Sequence, residues 1–423
     1  SNAMTRVQLG TVRLLAGDGP GARAALEESL RLDGRLAVAH RTVGPVARHS
    51  CSPDEAEVPP PMNLPILAAA LAASMLCGAA VSASPPTGRA AFADPLDVPA
   101  TASPLASARL LNAVARAGTR IVAVGQRGHI LLSDDEGHSW TSAAVPVSVD
   151  LVAVQFPTPT HGWAVGHGGV VLATQDAGRN WTRQLDGRAV GQLLVNYYAQ
   201  RSPSDIEGGD QALARLRNDA RRFADEGPDK PLLDVWFDDE KIGYVVGSFN
   251  LLLRTEDGGQ HWSPMLDRTD NPNALHLFAV RRVQGALYVT GEQGLVLRLD
   301  EQARRFRALP VHYKGTLFGV TGSPGAVLVH GLRGSVFRSA DEGATWSKVE
   351  TDMQAGLTGS ALSRDGHLML FGQAGQVLVS GNGGSTFARM PGDRTMPTSA
   401  GLVLDDDTLL LVGARGVRRM PQR

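Results

Sequence analysis

A chain of 423 residues, 20% charged and 43% hydrophobic, can hold two or three average domains or one large all-β unit, with the composition of an ordinary soluble globular protein. Its formal net charge of −1 gives no overall pull toward nucleic acid or acidic membrane. Its 48 glycines favour tight turns and short strands, and its two cysteines, Cys51 and Cys77, lie too far upstream to make a disulfide framework or a thiolate metal site.

Ser1-Asn2-Ala3 before Met4 reads as an expression scar. Between Gly17 and Gly44 the spacing of Ala22, Leu26, Leu30, Leu32-Asp33 and Ala39 is that of a single tetratricopeptide-like unit. One such unit cannot bury its own apolar face, so residues 4–61 are read as a mis-called start or a helical extension without assigned function. From Met62 the chain reads "MNLPILAAALAASMLCGAAVSAS", ending in the small triplet Val81-Ser82-Ala83. Residues 62–83 are expected to be a signal peptide sending the protein to the periplasm or beyond; a second cut fits Ala91-Phe92-Ala93. Leu76 before Cys77 argues against a lipoprotein cut. The alternative is an uncleaved anchor, with membrane association through residues 64–83.

Downstream, self-similarity organises the chain. Seven six-residue runs, "RIVAVG", "HGWAVG", "IGYVVG", "ALYVTG", "AVLVHG", "HLMLFG" and "TLLLVG", end at Gly125, Gly166, Gly247, Gly291, Gly331, Gly372 and Gly413. Their steps are 40 to 44 residues, with one double step of 81. Six have a second Gly three residues later, and Asn250, which tolerates positive φ, replaces it in the third. Fifteen residues after the first Gly stands an aromatic: Trp140, Trp181, Trp262, Phe306, Trp346 and Phe387. Five units precede it with an acidic turn: "SDDEGHSW", "TQDAGRNW", "TEDGGQHW", "SADEGATW" and "SGNGGSTF". Adding a leading apolar strand such as "DLVAVQF" gives four short strands per period, the pattern of a propeller blade.

The double step hides no blade. Residues 186–231 include "DQALARLRNDARRFADE", with Leu213, Leu216, Ala220 and Phe223 on one helical face, so a helical insertion is expected between blades 2 and 3. The last unit stops before its fourth strand, and residues 92–106 are placed to supply it, since an open edge is a liability. The expectation for residues 92–423 is an all-β, seven-bladed β-propeller with Asp-box hairpins, a helical insertion, and a short helical N-terminal extension.

The acidic turn is structural rather than catalytic, because it recurs around the ring. Asp135, Asp176, Asp257, Asp341 and Asn382 should accept hydrogen bonds from turn groups, and Trp140, Trp181, Trp262, Trp346 and Phe387 should pack over the hairpins. The stretch lacks the EF-hand pattern, and the scattered histidines follow no ligand spacing, so no metal and no cofactor is expected.

The coupling of V-G-x-x-G to the Asp-box, as in "VGQRGHILLSDDEGHSW" and "VHGLRGSVFRSADEGATW", resembles the photosystem II stability/assembly factor family over residues 94–423. That resemblance implies a seven-bladed propeller without known catalysis, acting in photosynthetic members as a lumenal or periplasmic assembly factor. The insertion departs from the short photosynthetic pattern.

Candidate contacts follow from propeller geometry. Turns between second and third strands open on the face that carries the insertion, which exposes Arg127, His167, Arg333 and Arg415. Arg127 and Arg415 belong to neighbouring blades and could receive a carboxylate or an acidic tail, or be merely solvated. Tyr197 and Tyr198 are either interface anchors or packing for the insertion. Arg254, Arg298 and Arg338 recur seven residues after the first Gly, as a second basic stripe or as strand caps. The reading is a non-enzymatic, exported, monomeric scaffold that binds a membrane or envelope protein and no nucleic acid. A sialidase-like hydrolase or lectin is the alternative; it needs an Arg triad and a Tyr–Glu pair, and Tyr244 and Tyr288 look like core residues instead. A ligand trap with a deep central funnel is a third reading.

Overall fold

The computed structural model describes residues 93–391, 396–405 and 408–421. The tetratricopeptide-like unit and the signal or anchor segment lie outside the described residues. Seven antiparallel sheets follow one another along the chain. Blade 1 holds β1 (Leu111–Ala117), β2 (Arg120–Gly125), β3 (Ile130–Ser133) and β4 (Thr141–Ser142); blade 2 holds β5 (Leu151–Gln155), β6 (Gly162–Gly166), β7 (Val171–Thr174) and β8 (Thr182–Leu185). Two helices intervene, α1 (Gly187–Ala199) and α2 (Gly209–Glu226). Blade 3 is β9 (Leu232–Phe237), β10 (Gly243–Gly247), β11 (Leu252–Thr255) and β12 (Ser263–Pro264), and blade 4 is β13 (Leu277–Val283), β14 (Ala286–Gly291), β15 (Val296–Asp300) and β16 (Arg305–Ala308). Blade 5 is β17 (Leu317–Ser323), β18 (Ala326–Gly331), β19 (Val336–Ser339) and β20 (Ser347–Val349); blade 6 is β21 (Leu357–Leu362), β22 (Leu368–Gly372), β23 (Val377–Ser380) and β24 (Ala388–Arg389). Blade 7 has three strands among the described residues, β25 (Thr398–Val403), β26 (Thr408–Gly413) and β27 (Gly416–Pro421). First strands line the axis, each beside the next, and β25 meets β1 to close the ring.

Closure differs from the sequence expectation. Residues 93–106 supply no fourth strand to blade 7. Instead, the Ser148 amide donates to the Pro95 carbonyl at 2.8 Å and the Ala100 amide to the Val145 carbonyl at 3.0 Å, tying this lead to the junction of blades 1 and 2. The physical reason is visible in "DPLDVPATASP": Pro95, Pro99 and Pro104 have no amide to give a ladder. The short turn Ala106–Ala108 packs against β27 at its start, where Gly416 leaves no side chain in the way.

Each repeated glycine has a local cause. At Gly166 the backbone is extended, and a Cβ would lie 2.1 Å from the Asp150 carbonyl oxygen on the chain entering the same blade. The second glycine of each turn has positive φ, and Asn250 takes that role in blade 3 at φ 62°.

The Asp-box closes on itself as its residue types demand. Asp135 accepts from the Ser133 and Ser139 hydroxyls and the Ser139 amide, at 2.6–2.9 Å, while the Gly137 amide donates to the Ser133 oxygen. The same pattern recurs at Asp176, Asp257 and Asp341, and at Asn382 with amide in place of carboxylate. The Thr345 hydroxyl and amide and the Ser339 hydroxyl hold the Asp341 carboxyl down to about 2. Above the box, the aromatic stands against the preceding blade. Trp181 lies among Val122 and Leu132 of blade 1, Trp346 among Tyr288 and Val296 of blade 4, and Trp140 beside Leu410 and Val412 of blade 7. The box glycine lies in the same place: a Cβ on Gly137 would meet the Leu410 side chain at 2.5 Å.

Trp181→Ala should therefore destabilise the propeller by about 3–5 kcal/mol through the cavity it leaves at the blade 1–2 junction. Asp176→Asn, which copies the arrangement of blade 6, should cost about 1 kcal/mol or less. Urea unfolding of both variants measures the contrast, and equal losses would contradict the clasp.

Candidate functional site

The turns between second and third strands form one face. Arg127, Phe249, Gln293 and Arg333 occupy the same turn position in four blades, all left-handed with φ between 53° and 56°. In this conformation the side chain stands away from the turn, so Arg127 and Arg333 are exposed. Arg415 is exposed in the tighter two-residue hairpin between β26 and β27. His167 is exposed where it borders the central channel. The Asp150 carboxylate accepts the Arg127 amide at 2.8 Å, so an acid is built into the same rim. Burial, then the positive charge of Arg127, lowers the pKa of the neighbouring His129.

The insertion sits on this face. Asp186 caps α1 by accepting from the Arg188 and Ala189 amides, and Gly187 packs against Gly169 of the blade 2 turn. Val190, Leu194 and Tyr198 of α1 and Leu213, Ala220 and Phe223 of α2 join Trp163, Val245 and Trp262 in one core. Tyr198 is therefore not an exposed anchor. It is 1% exposed, its hydroxyl donates to Asp267 at 2.9 Å, and burial with that carboxylate raises its pKa. Tyr197, its neighbour, is half-buried under the Arg201 guanidinium at 4.2 Å. At the start of the insertion Arg188 and Arg183 grip Asp97 of the N-terminal lead, and the Arg188 bond holds the Asp97 carboxyl down to about 2.

The second basic stripe does not exist as a free surface. Arg254 donates to the Tyr244 hydroxyl at 3.1 Å and pairs with Glu256. Arg298 pairs with Glu342, and Arg338 donates to the Gly383 carbonyl at 2.9 Å, so both reach the Asp-box hairpin of the following blade. At Arg298 and Arg338 the shared spacing serves blade-to-blade joining, while Arg254 is held within its own blade.

Three features escaped the sequence reading. Phe249 is 43% exposed on the same face, edge-on to His276 and Phe223; aligning the third turn, "GSFN", with "GQRG" would have shown it. The central channel, about 690 Å³, carries a buried carboxylate, Asp234, which accepts from the Val280 amide at 2.8 Å and pairs with Arg281. Burial raises the Asp234 pKa, and Arg281 acts against that rise. His330, directly before Gly331 where most units have Val, is 1% exposed. Its Nδ1 lies 3.0 Å from the Leu357 carbonyl, its Nε2 has no hydrogen-bond partner among the described residues, and the ring fills the space left by Gly319.

Burial depresses the His330 pKa to about 4, so the folded protein holds it neutral. The unfolded chain binds the extra proton below about pH 6.5. Stability is thus fully present above that value and falls as pH drops toward 4, by on the order of 3 kcal/mol from this residue. His330→Phe, which copies the Phe371–Gly359 pairing of blade 6, should flatten that part of the profile. Urea titrations of both proteins at pH 4.5 and 7 check it; identical pH dependence would contradict the assignment.

Comparison with known proteins places the propeller. A family described as photosynthesis system II assembly factor YCF48 matches residues 222–368. The photosystem II assembly lipoprotein Ycf48 of Synechococcus sp. (strain CC9902) is 30% identical over 125 residues, covering 28% of this chain and 37% of that protein. The matched stretch thus spans little more than a third of the relative. A solved structure described as YCF48 bound to D1 peptide superposes with a TM-score of 0.54 at 15% identity, covering 76% of this chain and 97% of that one. YCF48 from Cyanidioschyzon merolae gives 0.53 at 17%, covering 75% and 97%. The extracellular domain of a one-component system, BT4673 from B. thetaiotaomicron, gives 0.51 at 14%, covering 74% of this chain and 38% of that one; at these identities all three structures share the fold alone. Residues 222–368 are thus similar to the photosystem II assembly factor family, and the propeller as a whole shares its fold with the solved YCF48 structures.

Proposed function

We propose that this protein is a non-enzymatic, exported scaffold that helps assemble or stabilise a membrane or envelope protein complex. The observation that carries the reading is one face on which Arg127, Arg333 and Arg415 project from turns, with the exposed ring of Phe249 on the same face. Exposed guanidiniums on a fixed frame suit carboxylates of a protein partner, and an aromatic on the same face supplies an apolar anchor. The family match and the assembly role named for the Synechococcus relative support it. So does the structure of a relative with a peptide from D1. Export rests on the apolar run from Met62, and a monomer is the simplest form of a closed ring. Tyr198, Tyr244 and Tyr288 are buried and so are closed to the nucleophile role that sialidase-type glycan hydrolysis needs.

Arg127→Glu with Arg415→Glu should weaken capture of a membrane-protein partner from envelope extracts at least about ten-fold, with wild-type binding falling as salt rises. Arg389→Glu, away from these turns, should leave capture unchanged. Equal capture by all three proteins, or turnover of a glycoside panel by the wild type, would overturn the proposal.

A further inference from the structure

The insertion creates a second, separate cavity. It lies on the outer flank of the ring, about 470 Å³, between the end of α1 and the outer strands of blades 3 and 4. Tyr197 and Arg201 come from the insertion, Arg254 from β11, and Leu299 and Arg304 from blade 4. Met265 and Leu299 are buried and give the cavity an apolar floor. No blade without the insertion has the Tyr197 wall.

Its charges are unevenly committed. The three acids at the cavity are already engaged inside the protein. Glu256 pairs with Arg254, Asp257 is held by its own Asp-box and His261, and Glu301 pairs with Arg282 at 3.3 Å. The cations are not matched in the same way. Arg268 has only a long contact of 3.8 Å to Asp267. Arg201 lies over the Tyr197 ring, and among the described residues neither its guanidinium nor that of Arg304 has an ion pair or hydrogen bond. Stacking fixes the plane of a guanidinium and leaves its edge donors free, which is the geometry that receives two oxygens at once.

We propose that this cavity binds an oxyanion, a carboxylate or a phosphate, carried on a compact apolar body. Arg201 and Arg304 take the oxygens, Tyr197 provides one wall, and Met265 and Leu299 bury the apolar part. A cavity of this size suits a small molecule. The proposal stands apart from the partner-binding face, because none of Arg127, Arg333, Arg415 or Phe249 lines the cavity.

Calorimetric titration of the full chain at low salt with benzoate, phenyl phosphate and inorganic phosphate tests it. Saturable one-site binding of benzoate or phenyl phosphate is expected, tighter than inorganic phosphate alone, and weakening as salt is added. Preference for benzoate assigns a carboxylate ligand, and preference for phenyl phosphate a phosphate ester. Arg201→Gln with Arg304→Gln, both outside the core, should lower affinity at least about ten-fold, while Arg127→Glu with Arg415→Glu should leave it unchanged. Circular dichroism confirms that the variants are folded, and Arg201→Lys with Arg304→Lys should restore part of the affinity. Absence of saturable binding up to about 10 mM, or wild-type affinity in the glutamine variant, would overturn the proposal.

Discussion

The ring depends on the aromatic of the Asp-box lying against the blade before it. A four-stranded sheet buried on both faces cannot stand alone, because each face needs another sheet. Trp181 between blades 1 and 2, and Trp346 between blades 4 and 5, fill that junction, and the box beneath fixes where each ring sits. The carboxylate's hydrogen bonds go to its own hairpin. Arg298 and Arg338 add polar joints beside the same hairpins. One face of the propeller is thereby occupied with holding the ring together.

The opposite face is free of that duty, and this is where the molecule becomes individual. Left-handed turn residues project outward at fixed positions, so exchanging the residue type there changes the surface without disturbing a blade. Arg127, Phe249 and Arg333 are three such choices on one backbone geometry. The insertion uses the same freedom, entering at a connection between blades. It is fused to blades 2 and 3 through Tyr198, Phe223 and Trp262, so it is a rigid part of the face. Its far end reaches the outer flank and makes a cavity there that the bare ring lacks.

Much of the fold was legible because repetition multiplies a weak local signal. A single "DDEG" is only a turn, but five copies at constant distance from a Gly-marked strand specify a blade. The residues of the box behave as their side-chain chemistry requires, and Leu213, Ala220 and Phe223 are buried on the helical face that their spacing marked. The exposed status of Arg127, His167, Arg333 and Arg415 was equally legible, since it follows from turn position alone. Order along the chain points to residues 92–106 as a fourth strand for blade 7, but the three prolines of that segment argue against pairing, and among the described residues blade 7 has three strands.

The sequence by itself determined the number of blades, the clasp between them, and which turns share a face, because each is set by local periodicity. Only the tertiary structure decided which polar groups are already satisfied. Tyr197 and Tyr198 are adjacent and chemically alike, yet one borders a cavity and the other is locked to Asp267. Arg254 and Arg201 are both arginines at one site, yet one is paired and the other stacks on a ring. Burial and pairing depend on what arrives from distant parts of the chain, and no local pattern records that.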